Sequence, residues 1–108
     1  MSSSNQELRL SNLASHDLLV ILTHTNKYWG PAQRDRYRLI LEAGLERIRT
    51  FPLIGSIDSP NRSEIRKFVV GHHVVFYEIR DPATIVVLRV LHERMNLAEW
   101  ESIDWGEA

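Results

Sequence analysis

Two apolar segments near the end of the chain constrain its fold more than any other feature. They span residues 72–80 and 84–92 and are separated by a short turn at Asp81-Pro82. Apolar residues stand at alternate and at consecutive positions in both segments, which is typical of strands that are covered on both faces. We therefore predict two adjacent antiparallel strands. A chain of 108 residues has few other elements with which to cover them, so the pattern also indicates a partner.

The first half of the chain has the pattern of a helical hairpin. From Ser11, which suits a helix N-cap, apolar residues recur every three or four positions as far as Trp29. Gly30 suits the end of this helix, and Pro31 suits the first turn of the next one. The second helix is predicted over residues 31–50, with a dense charged outer face. The two helices are therefore expected to form a tight antiparallel pair.

The remaining elements are strands and one loop. Residues 7–10 alternate polar and apolar and predict a short first strand, residues 53–63 have loop chemistry, and a further strand is predicted at 65–70. With the two strands above, the element order is β-α-α-β-β-β. We predict an α+β fold in which the helical hairpin packs on one face of a small antiparallel sheet. The predicted organisation is a disordered N-terminus at 1–6, a single domain at 7–96 and an acidic tail at 97–108.

One face of this sheet is expected to lack a cover, because the helices can cover only the other. In the last strand Ile85, Val87, Arg89 and Leu91 point the same way and form a mostly apolar strip. A strip of this kind is rarely left in water. A homodimer, the C-terminal tail or a dedicated partner peptide would each cover this strip or its opposite, and the sequence leaves these alternatives open.

Composition excludes several kinds of site. The chain has no cysteine, which excludes disulfides, thiolate metal sites and a cysteine nucleophile. His16 and His24 lack acidic neighbours at ligand spacing, so we predict no metal and no cofactor. No apolar run approaches the length of a membrane span, and the N-terminus has no basic start followed by an apolar stretch. We expect a soluble cytoplasmic protein without a membrane partner.

The net charge of −1 is unevenly distributed. The tail at 97–108 holds four acidic residues and no basic one, so residues 1–96 have 13 basic against 10 acidic residues, a charge of +3. Nucleic-acid-binding domains of this size are usually far more basic, because Lys and Arg supply much of the affinity for phosphate. This charge balance weakens the case for an RNA or DNA substrate without excluding one.

Two groups of basic residues flank the predicted strands. They are Arg62, Arg66 and Lys67 at the start of the meander, and Arg89, His92 and Arg94 at its end. Antiparallel pairing would allow both groups to attract a phosphate or an acidic peptide on one side of the sheet. His92 and Arg94 also supply a possible acid or base and a phosphate clamp, which is the minimum for RNA cleavage by a 2′-hydroxyl. A plain solvated rim is the competing interpretation.

Four short motifs occur in an order that resembles a known family. They are Ala14-x-x-Asp17-Leu18-x-x-Ile21, Trp29-Gly30-x-x-Gln33-x-x-x-Tyr37, Gly71-x-His73-x-x-Phe76-Tyr77 and Val90-Leu91-His92-x-Arg94-Met95-Asn96. Together they resemble the ParE branch of the RelE/ParE toxins of bacterial type II toxin-antitoxin systems. The resemblance extends from about Leu8 to Asn96. The β-α-α-β-β-β fold of that family agrees with the order predicted above from periodicity and turns.

The resemblance implies one of two activities. RelE-like members are ribosome-dependent mRNA endonucleases (mRNA interferases) with Lys and Arg side chains on the open sheet, whereas ParE-like members inhibit DNA gyrase and lack that set. Only two lysines occur here, and of these only Lys67 is near the sheet. This scarcity and the near-neutral charge favour a gyrase inhibitor that is not an enzyme. The alternative is an endoribonuclease, and a third possibility is a toxin fold that survives only as a binding module.

The resemblance also implies partners and site residues. A cognate ParD-like antitoxin with an acidic disordered C-terminal segment would cover the strip at Ile85, Val87, Arg89 and Leu91, or the opposite face, in a hetero-oligomer. Operator DNA would be bound by the antitoxin and not by this chain. The residues expected to bind gyrase are Arg66, His73, His92 and Arg94. In the endoribonuclease alternative the catalytic residues would be Arg66, Arg89, His92 and Arg94. The tail at 97–108 matches no motif, and it either frays or packs on the sheet in imitation of an antitoxin.

Overall fold

Two helices lie on one face of a five-stranded sheet in the computed structural model of the chain, which describes residues 6–59, 62–95, 102, 103 and 105. The elements are β1 (Glu7–Leu10), α1 (Asn12–Trp29), α2 (Pro31–Thr50), a single 3₁₀ turn (Pro52–Ile54), β2 (Ser56–Ser59), β3 (Arg62–Val70), β4 (His73–Asp81) and β5 (Thr84–His92). The predicted α+β class and the position of both helices on one face are confirmed. Of the segment 1–6 that is predicted to be disordered, only Gln6 is described, and its side-chain amide donates to the Pro82 carbonyl at 2.8 Å. Residues 1–5 and most of the acidic tail lie outside the described residues.

The helical hairpin forms where the sequence predicts it. The Ser11 hydroxyl accepts a hydrogen bond from the Ala14 N–H at 3.0 Å and so caps α1. At the other end Gly30 adopts a φ of 90°, and its N–H donates to the Asn26 carbonyl at 3.0 Å. Pro31 then begins α2 with no residue between the helices except Gly30. Since only glycine adopts this φ without strain, the sharp corner depends on Gly30.

The sheet has the strand order β1-β5-β4-β3-β2 and is mixed. Strand β1 pairs with β5 in parallel, with Leu8 opposite Ile85, and the other neighbours are antiparallel. The antiparallel pairing that was predicted is therefore found among β2, β3, β4 and β5, whereas β1 is parallel to its neighbour. The structure also corrects the loop predicted at 53–63, because Ser56 and Ile57 pair with β3 and form a fifth strand. Pairing along the edge of β3 outweighs the weak strand propensity of this segment.

A β-bulge in β5 determines which side chains lie beneath the helices. The register with β4 shifts between Val87 and Arg89, so one residue is added to β5 at this point. Before the bulge Ile85 and Val87 face the helices, and after it Val90 does so. Leu91, four residues after Val87, therefore lies on the opposite face. Because an added residue reverses the alternation of faces, the predicted common strip of Ile85, Val87 and Leu91 does not form.

Close approach of α2 to β3 gives a first stability prediction. A Cβ added to Gly44 would lie 2.5 Å from both methyl carbons of Val70, and both residues are buried. We expect Gly44→Ala to lower the free energy of unfolding by about 1 to 2 kcal/mol, because overpacking exceeds the gain in helix propensity. Urea unfolding followed by circular dichroism measures this. In a Val70→Ala background the same change should be neutral or stabilising, and a stabilising effect in the wild-type background would contradict the assigned packing.

Candidate functional site

A cleft of about 690 Å³ opens between the helical corner and the ends of β4 and β5. Its lining includes Trp29 from the end of α1, Gln33 and Tyr37 from α2, and His73 and His92 from the two strands. These five residues come from three of the four motifs that carry the family resemblance. Segments far apart in the sequence thus contribute their motif residues to one place, which makes this cleft the candidate functional site.

The cleft is held together by the hydroxyl of Tyr37. This oxygen accepts a hydrogen bond from the His72 N–H at 3.0 Å and lies 2.5 Å from Nδ1 of His73. The turn between β3 and β4 reaches it through Gly71, which has a φ of 60°. A Cβ on Gly71 would be 2.8 Å from the same hydroxyl oxygen. Glycine at this position is therefore required by the backbone conformation and by the contact with Tyr37.

The surroundings of His73 determine its protonation. The Tyr37 hydroxyl and Nδ1 of His73 share a hydrogen bond, and the tautomer of the ring sets which of the two donates. Burial lowers the pKa of His73 to about 4, and the neighbouring His92 and His72 act in the same direction. Burial also raises the pKa of Tyr37, so both partners stay uncharged near neutral pH.

The other end of the cleft is formed by the turn that follows β5. The rings of His73 and His92 meet edge to face with their centroids 5.2 Å apart. Nδ1 of His92 accepts a hydrogen bond from the Arg94 N–H at 3.1 Å, which fixes the orientation of the ring. Glu93 lies 3.2 Å from Nδ1 of His72. The side chain of Arg94 is exposed beside these residues.

The chemistry of the cleft favours recognition of a protein side chain. Its walls are mainly apolar, its central histidine is neutral, and Trp29 at its edge is 73% exposed. An exposed tryptophan beside an apolar cleft is a typical anchor for a protein partner, because it offers a large rigid surface together with a hydrogen-bond donor. The sequence interpretation quoted Trp29, Gln33 and Tyr37 as motif residues without giving them a site. The signal that would have identified them is their shared membership of the helical corner motif.

The structure brings together only part of the predicted target-binding set. His73, His92 and the turn containing Arg94 adjoin one another, as described above. Arg66 does not join them, because it pairs with Tyr77, four residues along β4 from His73. Its guanidinium donates to the Gly55 carbonyl at 2.7 Å. The expectation that strand pairing would gather both basic groups on one side is thus not met by Arg66.

Arg89 is also held inside the fold. Its Nε donates to Asp17 of α1 at 2.8 Å and its Nη2 donates to the second oxygen of the same carboxylate at 2.9 Å. The side chains of Arg89 and Asp17 are only 16% and 11% exposed. The four residues expected to act in RNA cleavage therefore do not form one cluster. Arg66 and Arg89 stabilise separate parts of the fold, and His92 and Arg94 remain together.

The predicted antitoxin-binding strip is redistributed between two faces of the sheet. Ile85 and Val87 are completely buried beneath the helices, which removes them from the surface. Leu91 packs on the opposite face with Val74 and Phe76. In the described part of the chain this opposite face is the one that the helices leave uncovered.

The low pKa of His73 predicts a stability that depends on pH. An unfolded histidine titrates near pH 6.5, so between pH 6.5 and 4 the unfolded chain binds more protons than the folded chain. The free energy of unfolding should therefore fall as the pH is lowered through this range. We expect a loss of about 1 to 2 kcal/mol from this group, reduced by solvent because the ring is only half-buried.

Urea unfolding at several pH values measures this dependence. His73→Gln should remove this part of the loss between pH 7 and pH 4.5, whereas the exposed His16→Gln should leave it unchanged. Equal pH profiles for His73→Gln and wild type would contradict the assigned state of His73.

Among the described residues, no group of three or more His, Asp or Glu side chains is arranged to hold a metal ion. Neither helix in the described part has the length and apolar character needed to cross a bilayer.

Most of the chain matches a known protein family. Residues 8–97 match the family model described as the ParE toxin of the type II toxin-antitoxin system parDE. Toxin ParE1 of Caulobacter vibrioides is 38% identical over 88 residues, which cover 82% of this chain and 90% of that protein. Toxin ParE1 of Mycobacterium tuberculosis is 35% identical over the same shares of both chains, and Toxin ParE of Escherichia coli is 35% identical over 78% of this chain and 82% of its own length.

Solved structures show the same fold. A chain of the chromosomal ParDE toxin-antitoxin system from P. aeruginosa superposes with a TM-score of 0.69 and 15% identity, covering 82% of this chain and 97% of its own. The toxin-antitoxin complex RelBE2 of Mycobacterium tuberculosis contains a chain with a TM-score of 0.61 and 21% identity, covering 82% and 98%. The family model spans most of the chain and the sequence relatives exceed 30% identity, so this chain belongs to the ParE toxin family of type II toxin-antitoxin systems.

Proposed function

We propose that this toxin inhibits DNA gyrase in the cytoplasm, thereby arrests replication and growth, and is neutralised by a cognate antitoxin. The observation that carries the proposal is the cleft edged by Trp29, in which a neutral His73 and apolar walls face an exposed aromatic side chain. Such a site suits the side chain of a protein partner better than a phosphate group, because the described residues that line the cleft include no Lys or Arg to pair with a phosphate. An inhibitor acting by protein contact requires no catalytic residue.

The positions of the arginines support the same conclusion. Arg89 is engaged by Asp17 and Arg66 by the Gly55 carbonyl, so both contribute to the fold. A ribonuclease of this fold would need cationic side chains directed at the scissile phosphate. The net charge of −1 also gives little long-range attraction for ribosomal RNA.

A gyrase supercoiling assay with purified protein tests the proposal. Wild-type protein should inhibit supercoiling, and Trp29→Ala should weaken inhibition roughly tenfold or more, as expected for an aromatic anchor. The matched control is Leu53→Ala, which removes an exposed apolar side chain (70% exposed) that does not line the cleft. No inhibition at micromolar excess, together with ribosome-dependent mRNA cleavage, would overturn the proposal.

A second candidate function is mRNA cleavage on the ribosome. The observation that favours it is the adjacency of His92 and Arg94 at one end of the cleft, where a histidine and an exposed guanidinium stand two residues apart. In that case replacing both with alanine should abolish transcript cleavage while the circular dichroism spectrum is retained. Gyrase inhibition by the same double variant at wild-type strength, with no cleavage by the wild-type protein, would exclude this candidate.

An antitoxin partner is supported by the two solved structures of the same fold, which are a ParDE toxin-antitoxin system and the RelBE2 toxin-antitoxin complex. We infer that the cognate antitoxin binds through an acidic segment that folds on binding, because residues 1–96 have a charge of +3. Growth arrest on expression of the toxin alone, and its relief by the antitoxin, would test this part directly.

A further inference from the structure

The sheet face opposite the helices is lined by an apolar cluster that the described tail residues cover. Val74, Phe76 and Leu91 form its centre and are between 1% and 8% exposed. Side chains packed on this cluster are Ile65, Met95, Ile103 and Trp105. Ile103 and Trp105 belong to the acidic tail, beyond residue 97, at which the match to the family model ends. The described tail residues thus contribute to the burial of a face that the helices leave uncovered.

The contact has the character of a bound peptide. The indole of Trp105 meets the ring of Phe76 edge to face, with 5.2 Å between centroids and an interplanar angle of 66°. Ile103 and Trp105 stand two positions apart in the sequence, and both side chains pack on the same apolar surface. Paired aromatic rings in this geometry add stabilisation beyond the burial of their area.

The charge of the tail complements that of the domain. The tail has four acidic residues and no basic one, whereas residues 1–96 have a charge of +3. Electrostatic complementarity of this kind speeds association and orients the segments that bind. The tail therefore combines an acidic character with an aliphatic and an aromatic anchor two residues apart.

We propose that this face is a peptide-docking surface that the tail occupies as a tethered ligand, and that its partner is an acidic peptide segment with an aliphatic and an aromatic residue two positions apart. The proposal rests on the proposed function in one respect, because the partner that fits it is the acidic segment of the antitoxin. A tethered segment has an effective concentration on the order of millimolar, so an incoming peptide has to displace it. In the absence of the partner the tail keeps Phe76 and its neighbours out of water.

A labelled peptide with the sequence of residues 97–108 tests the docking surface without an antitoxin. Fluorescence anisotropy measures its binding to the full chain and to the full chain with Ile103→Ser and Trp105→Ser. We expect the double variant to bind the peptide roughly tenfold or more tightly than wild type, because its own tail no longer competes. The matched control is Trp29→Ser, which removes an exposed tryptophan at the cleft and should leave peptide binding at the wild-type level. A peptide with both serine substitutions should not bind.

The outcomes separate this proposal from the proposed function. A folded double variant that binds the peptide no better than wild type overturns the docking surface, whatever its effect on gyrase. If the double variant fails to fold, the single variant Trp105→Phe provides the test. Its smaller ring should keep the face covered but weaken the binding of the tail to that face. A gain of less than about twofold in peptide affinity for that variant also overturns the proposal. If the wild-type protein does not inhibit gyrase but the peptide binds to both proteins as expected, only the proposed function is rejected.

Discussion

Replacing Asp17 with alanine is expected to lower the free energy of unfolding by about 3 to 5 kcal/mol, the cost of breaking a largely buried ion pair. The two carboxylate oxygens of Asp17 accept hydrogen bonds from Nε and Nη2 of Arg89 at 2.8 and 2.9 Å. One of them also accepts from the Val90 N–H at 3.0 Å. Because both side chains are less than 20% exposed, water compensates poorly for the lost contacts.

The position of Asp17 explains why one carboxylate has so large an effect. Strand β1 ends at Leu10, so the last residues of β5 continue beyond their parallel neighbour. Beyond β1, the residue that caps α1 forms hydrogen bonds with the edge of β5. The Ser11 N–H donates to the Val87 carbonyl at 2.9 Å, and the Ser11 hydroxyl donates to the Leu88 carbonyl at 2.9 Å. Asp17 continues this edge at Val90. The helix thereby supplies the hydrogen bonds that an additional strand would supply.

Urea unfolding monitored by far-ultraviolet circular dichroism measures the effect. The matched control is Asp35→Ala, which removes an aspartate of α2 that is 51% exposed and pairs with Arg34 and Arg38. That change should cost about 0.5 kcal/mol or less, as is usual for surface pairs. Asp17→Asn, which keeps an acceptor oxygen but not the charge, should fall between the two. A loss for Asp17→Ala no larger than that for Asp35→Ala would show that the pair does not stabilise the fold.

Local sequence signals predicted the helical hairpin closely. The Ser11 cap and the Gly30-Pro31 corner act within a few residues, so their effect can be interpreted without knowledge of the rest of the fold. Both helices have the predicted bounds. The strands after residue 62 were also predicted within a few residues, because their apolar runs are bounded by clear turns.

Features that depend on strand pairing could not be predicted from local sequence signals. The bulge in β5 has no glycine or proline to indicate it, since Val87, Leu88 and Arg89 are ordinary strand residues. It nevertheless reverses the face of every residue that follows, which places Leu91 and Ile85 on opposite sides of the sheet. The parallel pairing of β1 and the short β2 also depend on contacts with distant strands. Such contacts outweigh local propensity.

The candidate site was predicted in part. His73 and His92 were both assigned to the surface that binds the target, and the structure places their rings in contact. The role of Tyr37 was not predicted, because its hydrogen bonds to the turn at 71–73 join residues about 35 positions apart. Arg66 and Arg89 were assigned to function because exposed arginines bind anionic partners. Their partners, Gly55 and Asp17, become visible only in the folded chain.

Removing the hydroxyl of Tyr77 is expected to cost about 2 to 4 kcal/mol, because the Tyr77→Phe change takes a hydrogen-bond partner from two backbone groups at once. This hydroxyl donates to the Pro52 carbonyl at 2.6 Å and accepts from the Gly55 N–H at 2.9 Å. Tyr77 and Gly55 are both buried, so water cannot readily replace the lost contacts. The hydroxyl thereby holds the 3₁₀ turn that links α2 to β2.

Urea unfolding and amide hydrogen exchange at Gly55 measure the effect, and the matched control is Tyr28→Phe, which alters an exposed tyrosine on α1. The control should change stability by about 0.5 kcal/mol or less. Because Arg66 donates to the Gly55 carbonyl, Tyr77→Phe should also loosen Arg66 and accelerate exchange at Gly55 more than elsewhere in the sheet. If Arg66 instead binds the target of the toxin, Arg66→Ala would weaken gyrase inhibition without destabilising the turn. Destabilisation by both variants, with inhibition by the folded fraction retained, assigns Arg66 to the support of the turn.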